Sequence, residues 1–130
     1  MTLRARWRGS WASDRLRRLA THIVVLHVPL DWASTILALS AARQHGLTTE
    51  QVELNPLLAS VADSPLRLLA TMAVVGVGVV GLLWWEDRRI AAGESEMTWA
   101  GMMGLHLTVA LGVGIVVLNL GQAVYLGVVA

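Results

Sequence analysis

From Met97 to Ala130 the chain carries no Asp, Glu, Lys or Arg, and from Leu68 to Trp85 it carries none either. Between Leu19 and Ala42 the single such residue is Asp31. Apolar runs of about 18 residues or more suffice to cross a bilayer as helices, which satisfy their backbone polar groups internally where water is absent. Three such runs in 130 residues leave too little chain for a soluble core. The charged fraction, 15%, falls below the roughly 25% of an average soluble domain. The pattern predicts an all-α membrane protein with three transmembrane helices plus a short half-helix after Asn55-Pro56. A basic arm, residues 1–18, precedes a transmembrane helical domain, residues 19–130.

Capping signals set the expected boundaries. The first span covers about 19–42, and Gly46 ends the helix where the chain turns polar. Asn55 reads as an N-cap with Pro56 at the first helical position, opening the half-helix. Ser64-Pro65 repeats that signal and opens a second span over 65–85. Ser95 is expected to cap the third span, with Glu94 and Glu96 at its positive N-terminus. That span covers 97–120 or longer. Residues 97–130 would form a helix of about 50 Å against a hydrocarbon core of about 30 Å. One long, tilted or kinked helix is expected, with a break near Gly121 as the alternative. Arg17-Arg18 before an apolar stretch also has the form of a signal peptide, but the stretch is long and holds polar residues, favouring an uncleaved first helix.

All ten basic residues are Arg, and Arg4, Arg6, Arg8, Arg15, Arg17 and Arg18 precede the first run. With Arg88 and Arg89 they place the arm and the loop after the second span on the cytoplasmic side of the cell membrane. Residues 43–64 and the C-terminus are then outside. As a helix, the arm aligns Leu3, Trp7 and Trp11 beside Arg4, Arg8 and Arg15, which suits contact with anionic lipid. Gly9 and Ser10 suit a disordered basic tail equally well. Nucleic acid is not an expected partner, because the arginines adjoin a membrane segment. Trp84, Trp85 and Trp99 flank the charged loop as interfacial anchors do.

Inside the first span, "HVPLDWAST" puts His27, Asp31 and Thr35 four residues apart on one helix face. Pro29 cannot donate to the Val25 carbonyl, so a kink and a spare acceptor are expected there. A carboxyl group at this depth is costly unless paired, protonated or hydrated, and is expected to face the bundle interior or another protomer. The third span carries a stripe of Gly101, Gly104, Thr108, Gly112, Ile115, Asn119 and Gln122 at steps of three or four, which suits close helix packing. Gly76, Gly78 and Gly81 add such places in the second span, where Arg67 stands near the start.

Asp31, His27, Thr35, Glu53, Asn55, Asn119 and Arg67 together are the candidate ligand or ion site. Their alternative role is a hydrogen-bond and ion-pair network fixing the helices, with Arg67 pairing Asp31 or Glu53 and Asn55 capping its helix. Both roles are open at this stage. No cofactor is expected, and the His, Asp and Glu spacing matches no metal signature. The absence of Cys excludes thiolate chemistry, and no hydrolase, zinc-protease or P-loop motif occurs. "GVGVVG" has the form of a dinucleotide fingerprint, but within a spanning helix it reads as packing glycines.

Asp31 followed by Ser34 and Thr35, the loop Glu53-x-Asn55-Pro56, Pro65 and Asn119 give the chain a pattern over residues 23–125. It resembles a domain-of-unknown-function family of small polytopic prokaryotic membrane proteins with an intramembrane Asp followed by such a loop motif. The resemblance implies three spans and a central role for Asp31, Glu53 and Asn55. The Lys that members often carry in the second span has no counterpart here, where Arg67 is the nearest basic residue. A non-enzymatic protein working through helix association is expected, as a homo-oligomer or a subunit of a larger membrane complex. The alternative is a cation- or proton-binding transport element using Asp31 and Glu53.

Overall fold

A computed structural model of the chain describes residues 3–52 and 59–129. All regular structure among them is helical. Helix α1 (Leu3–Gly9) lies in the arm, and α2 (Asp14–Val25) runs through a π-helical turn (Leu26–Leu30) into α3 (Asp31–Gln44). The short α4 (Thr49–Val52) follows, then α5 (Pro65–Ala91) and α6 (Trp99–Val129). Three helical segments are long and apolar enough to cross a membrane: Asp14–Gln44, Pro65–Ala91 and Trp99–Gly127. The half-helix expected after Asn55-Pro56 lies largely outside the described residues.

The first two spans are longer than their apolar runs. A helix of 27 residues measures about 40 Å, so α5 exceeds a hydrocarbon core of about 30 Å and carries polar turns at its ends. Arg89 pairs with Glu86 one turn earlier at 3.4 Å, which continues α5 past Trp85. The third run is one unbroken helix through Gly121.

Ser64 caps α5 as expected, its hydroxyl accepting the Arg67 N–H, with Pro65 in the first turn. Gly46 ends α3 at φ 72°: its N–H reaches the Arg43 carbonyl, and Leu47 N–H reaches Ala42. Ser95 does not cap α6. Its hydroxyl donates to Glu86 Oε1, while Thr98 Oγ1 accepts the Gly101 N–H at 3.0 Å and the helix opens there. Glu86 is the stronger acceptor within reach, and Thr98 is the next hydroxyl along the chain.

The expected kink at Pro29 takes the form of the π-helical turn. Asp31 N–H donates to the Leu26 carbonyl, five residues back, and the first span stays one continuous segment. The wider turn accommodates the proline ring, which in an ideal helix would collide with the carbonyl four residues before it.

The first span is central. Its contacts with α5 pair Val28 with Gly76 and Trp32 with Pro65, so α5 runs antiparallel to it. Its contacts with α6 pair His27 with Thr108, Thr35 with Asn119, and His45 with Leu126, so α6 runs parallel to it. Among the described residues, helices α3 and α6 form the largest contact. One core cluster, Leu39, Ala62, Leu68 and Met72, binds α3 to the start of α5. The other gathers Trp11, Leu16 and Ala20 against Val80, Leu83, Met102 and Leu105.

The arm is folded against the bundle. Trp7 and Trp11 meet edge-on at 5.3 Å, and Trp11 is buried. Trp11 falls beyond the end of α1, so the four-residue spacing reports a turn folded back onto the core as well as a helix face. Trp84 Nε1 donates to the Ser10 carbonyl at 2.9 Å. Asp87, 1% exposed, accepts the Ala12 N–H on Oδ2 (2.6 Å) and the Ser13 N–H on Oδ1 (2.9 Å). These donors stand just before α2, where the first backbone N–H groups of a helix lack internal partners.

Candidate functional site

The inward face of the first span turns Asp31, Ser34 and Thr35 toward α6, where all three are buried. Thr35 Oγ1 donates to Asp31 Oδ1 at 3.1 Å, one helical turn away. Ser34 Oγ donates to the Asp31 carbonyl at 3.0 Å. Asn119 comes across from α6, and its amide nitrogen lies 3.3 Å from Asp31 Oδ1, 3.2 Å from Ser34 Oγ and 3.0 Å from Thr35 Oγ1. An amide nitrogen carries two hydrogens, so these three acceptors share two donors. Asp31 stands about 25 Å along the first span from Asp14, in the half of the bundle away from the arm.

His27 faces α6 as well but joins a different contact. Its Nε2–H donates to the Thr108 carbonyl at 3.0 Å. The ring lies so close to α6 that a Cβ on Gly112 would stand 2.7 Å from Nε2 and 3.1 Å from Leu26 Cβ. Gly112→Ala is therefore expected to lower stability by about 1–2 kcal/mol. The overpacking cost of about 1–3 kcal/mol outweighs the roughly 1 kcal/mol gained in helix propensity. Denaturation in mixed micelles reads the loss, and an unchanged or higher stability would contradict the contact.

Of the predicted packing residues, Gly76, Thr108 and Gly112 lie at helix contacts, and a Cβ on Gly76 would meet Val28 at 2.7 Å. Gly78, Gly81 and Gly104 do not pack against the described residues: none of these stands within 4 Å of a Cβ at any of the three. The stripe on α6 faces inward at Thr108, Gly112 and Asn119. Gly101, Ile115 and Gln122 are exposed, although α6 meets the first span from Thr108 to Leu126. Thr108 places its hydroxyl on the Gly104 carbonyl of its own helix, so its backbone, not its side chain, meets His27.

Arg67 does not pair with Asp31. It is exposed in the first turn of α5, and Asp31 forms no salt bridge among the described residues. Arg43 makes the ion pair at that end instead, with Asp63 at 3.0 Å, where Thr49 Oγ1 also donates at 2.7 Å. Glu53 and Asn55 lie outside the described residues. Among the described residues no three His, Asp or Glu side chains converge as metal ligands.

Sequence reasoning missed Asp87. It was read as part of a charged loop, yet it is the most deeply buried carboxyl group among the described residues. Its position two residues after Trp85 puts it among interfacial tryptophans, but nothing local marks Ala12 and Ser13, the latter the N-cap of α2, as its partners.

Compared with known proteins, the chain matches no family model, and no curated protein or solved structure is significantly similar to it.

Proposed function

We propose that the chain is a non-enzymatic membrane protein that works through helix association, as a homo-oligomer or as a small subunit of a larger membrane complex. The observation that carries this is the outward face of α6. Gly104, Leu107, Leu111, Gly114, Leu118, Gly121 and Tyr125 follow one another at steps of three and four, and all are exposed. Nothing lies within 4 Å of a Cβ at any of the three glycines. Glycine costs a helix interior about 1 kcal/mol relative to alanine, and here nothing among the described residues uses the space it leaves. Such a seam lets the backbone of another helix approach closely, the usual basis of helix association in lipid.

The polar cluster fits this reading as an internal clasp, because Asn119 joins three groups of the first span. Asp31, Ser34, Thr35 and Asn119 also carry the resemblance to the family of small prokaryotic membrane proteins. A cytoplasmic N-terminus, with residues 43–64 and the C-terminus outside, accords with the arm meeting the end of α5 that bears Arg88 and Arg89.

Crosslinking in native membranes and mass determination after mild detergent extraction test the proposal. The expected result is a particle larger than one chain, weakened by Gly114→Leu. A strictly monomeric particle with no partner would overturn it. A second reading, binding of a cation or proton by Asp31 and Glu53, is favoured by one observation: Asp31 has no cationic partner among the described residues.

A further inference from the structure

An open groove of about 780 Å³ runs between the first span and α5, on the side away from the Asp31 cluster. Val24, Val25 and Val28 form one wall and Val77 and Val80 the other. Gly81 also lines it, and nothing among the described residues stands within 4 Å of a Cβ there. Trp7, Ser10 and Trp84 close its end at the arm. From Trp84 to Ala73, the two ends of the α5 wall, the rise is about 16 Å, half of a hydrocarbon core of about 30 Å. The groove therefore has the depth of one leaflet, begins at an aromatic interface and ends near the midplane.

Its mouth is basic. Arg6 and Arg8 flank Trp7 in α1 and are exposed, and the exposed Arg88 guanidinium stands 5.5 Å from the centre of the Trp84 ring. None of the three forms a salt bridge among the described residues. Most acidic groups at that end are engaged: Asp14 with Arg17, Asp87 with the backbone of Ala12 and Ser13, Glu86 with Arg89 and Ser95, and Glu94 with Arg89 at 4.0 Å, while Glu96 is exposed in the loop before α6.

We propose that the groove between α2 and α5 holds one acyl chain of an anionic phospholipid of the adjoining leaflet, with the headgroup phosphate held by Arg6, Arg8 and Arg88. The apolar walls exclude a polar ligand, and the depth matches a lipid chain lying along the membrane normal. The three arginines supply the charge that selects an anionic headgroup over a zwitterionic one. No residue of the α6 seam lines the groove, so this site and the association surface are separate.

The test reconstitutes the full chain in vesicles of equimolar phosphatidylglycerol and phosphatidylcholine, extracts it in mild detergent and measures retained lipid by native mass spectrometry. Phosphatidylglycerol is expected to be retained with roughly tenfold enrichment, the order that several basic residues at an anionic surface provide. Gly81→Leu, whose Cβ meets nothing within 4 Å and whose branched end projects into the groove, is expected to remove most of the retained lipid. Gly78→Leu on the outer face should leave it in place, and helicity and thermal stability control for folding in both. Arg6→Gln, Arg8→Gln and Arg88→Gln together should abolish the preference for phosphatidylglycerol while leaving some lipid bound. Equal retention of both lipids, no retained lipid, or an unaffected Gly81→Leu would overturn the proposal. Because the chain has no native cysteine, Gly81→Cys offers a further arm. Disulfide-linked dimers through that position would assign the groove to a second copy instead, overturning the lipid site while supporting association.

Discussion

Asp87→Ala is expected to unhook the arm from the bundle and to lower stability by about 3 kcal/mol. Two backbone N–H groups, of Ala12 and Ser13, end on this one buried carboxyl group. Removing it leaves both part-buried donors without their partner, and each orphaned donor costs about 1–3 kcal/mol. The loss spreads further. Ser13 caps α2 through its hydroxyl, and Trp84 holds Ser10 next to it, so the junction of arm, first span and α5 depends on one geometry. Asp87→Asn keeps one acceptor oxygen but presents an NH₂ to a second donor, and an intermediate loss is expected. The measurement is denaturation in mixed micelles paired with limited proteolysis of residues 3–13. Faster cleavage of the arm together with lower stability is the expected result. An Asp87→Ala protein as stable as the parent, with its arm still protected, would contradict the clasp.

The spans were legible because their signal is thermodynamic and needs no partner. A charge-free run must be helical in lipid whatever surrounds it, and Ser64-Pro65 and Gly46 marked helix ends through local backbone chemistry alone. Asp31, Thr35 and Asn119 were legible for a related reason: polar groups at membrane depth have to find one another, and few others were available. Asp87 was not legible, since its burial depends on how the arm folds back across 74 or 75 positions of sequence. Gly78, Gly81 and Gly104 look like Gly76 and Gly112 in one dimension, and only the helix rotations separate those that meet a neighbour from those that do not. Arg67 does not reach Asp31 because it stands in the first, capped turn of α5, while Asp31 is enclosed by α6; its other expected partner, Glu53, lies outside the described residues.

A mutant cycle on Asp31 and Asn119 separates the two readings of the polar cluster. As an interhelical clasp, each partner matters through the other. Hydrogen bonds between membrane helices are worth about 0.6 kcal/mol on average and up to about 1.7 kcal/mol. Asp31→Ala and Asn119→Ala each break more than one contact and leave a small cavity, so each is expected to cost about 2 kcal/mol. The double variant should cost about 3 kcal/mol, a coupling of about 1 kcal/mol, because the second change removes contacts the first has already broken. Asp31→Asn decides the rest. Its side-chain oxygen can still accept from Thr35 and Asn119, so a clasp tolerates it, with stability expected to change by less than about 0.5 kcal/mol. Strictly additive losses in the cycle would remove the direct Asp31–Asn119 contact. Cation or proton flux in liposomes, abolished by Asp31→Asn in a protein of unchanged stability, would replace the clasp with a binding site, because only a group that carries the ion or proton loses function when its charge is removed and its shape is kept.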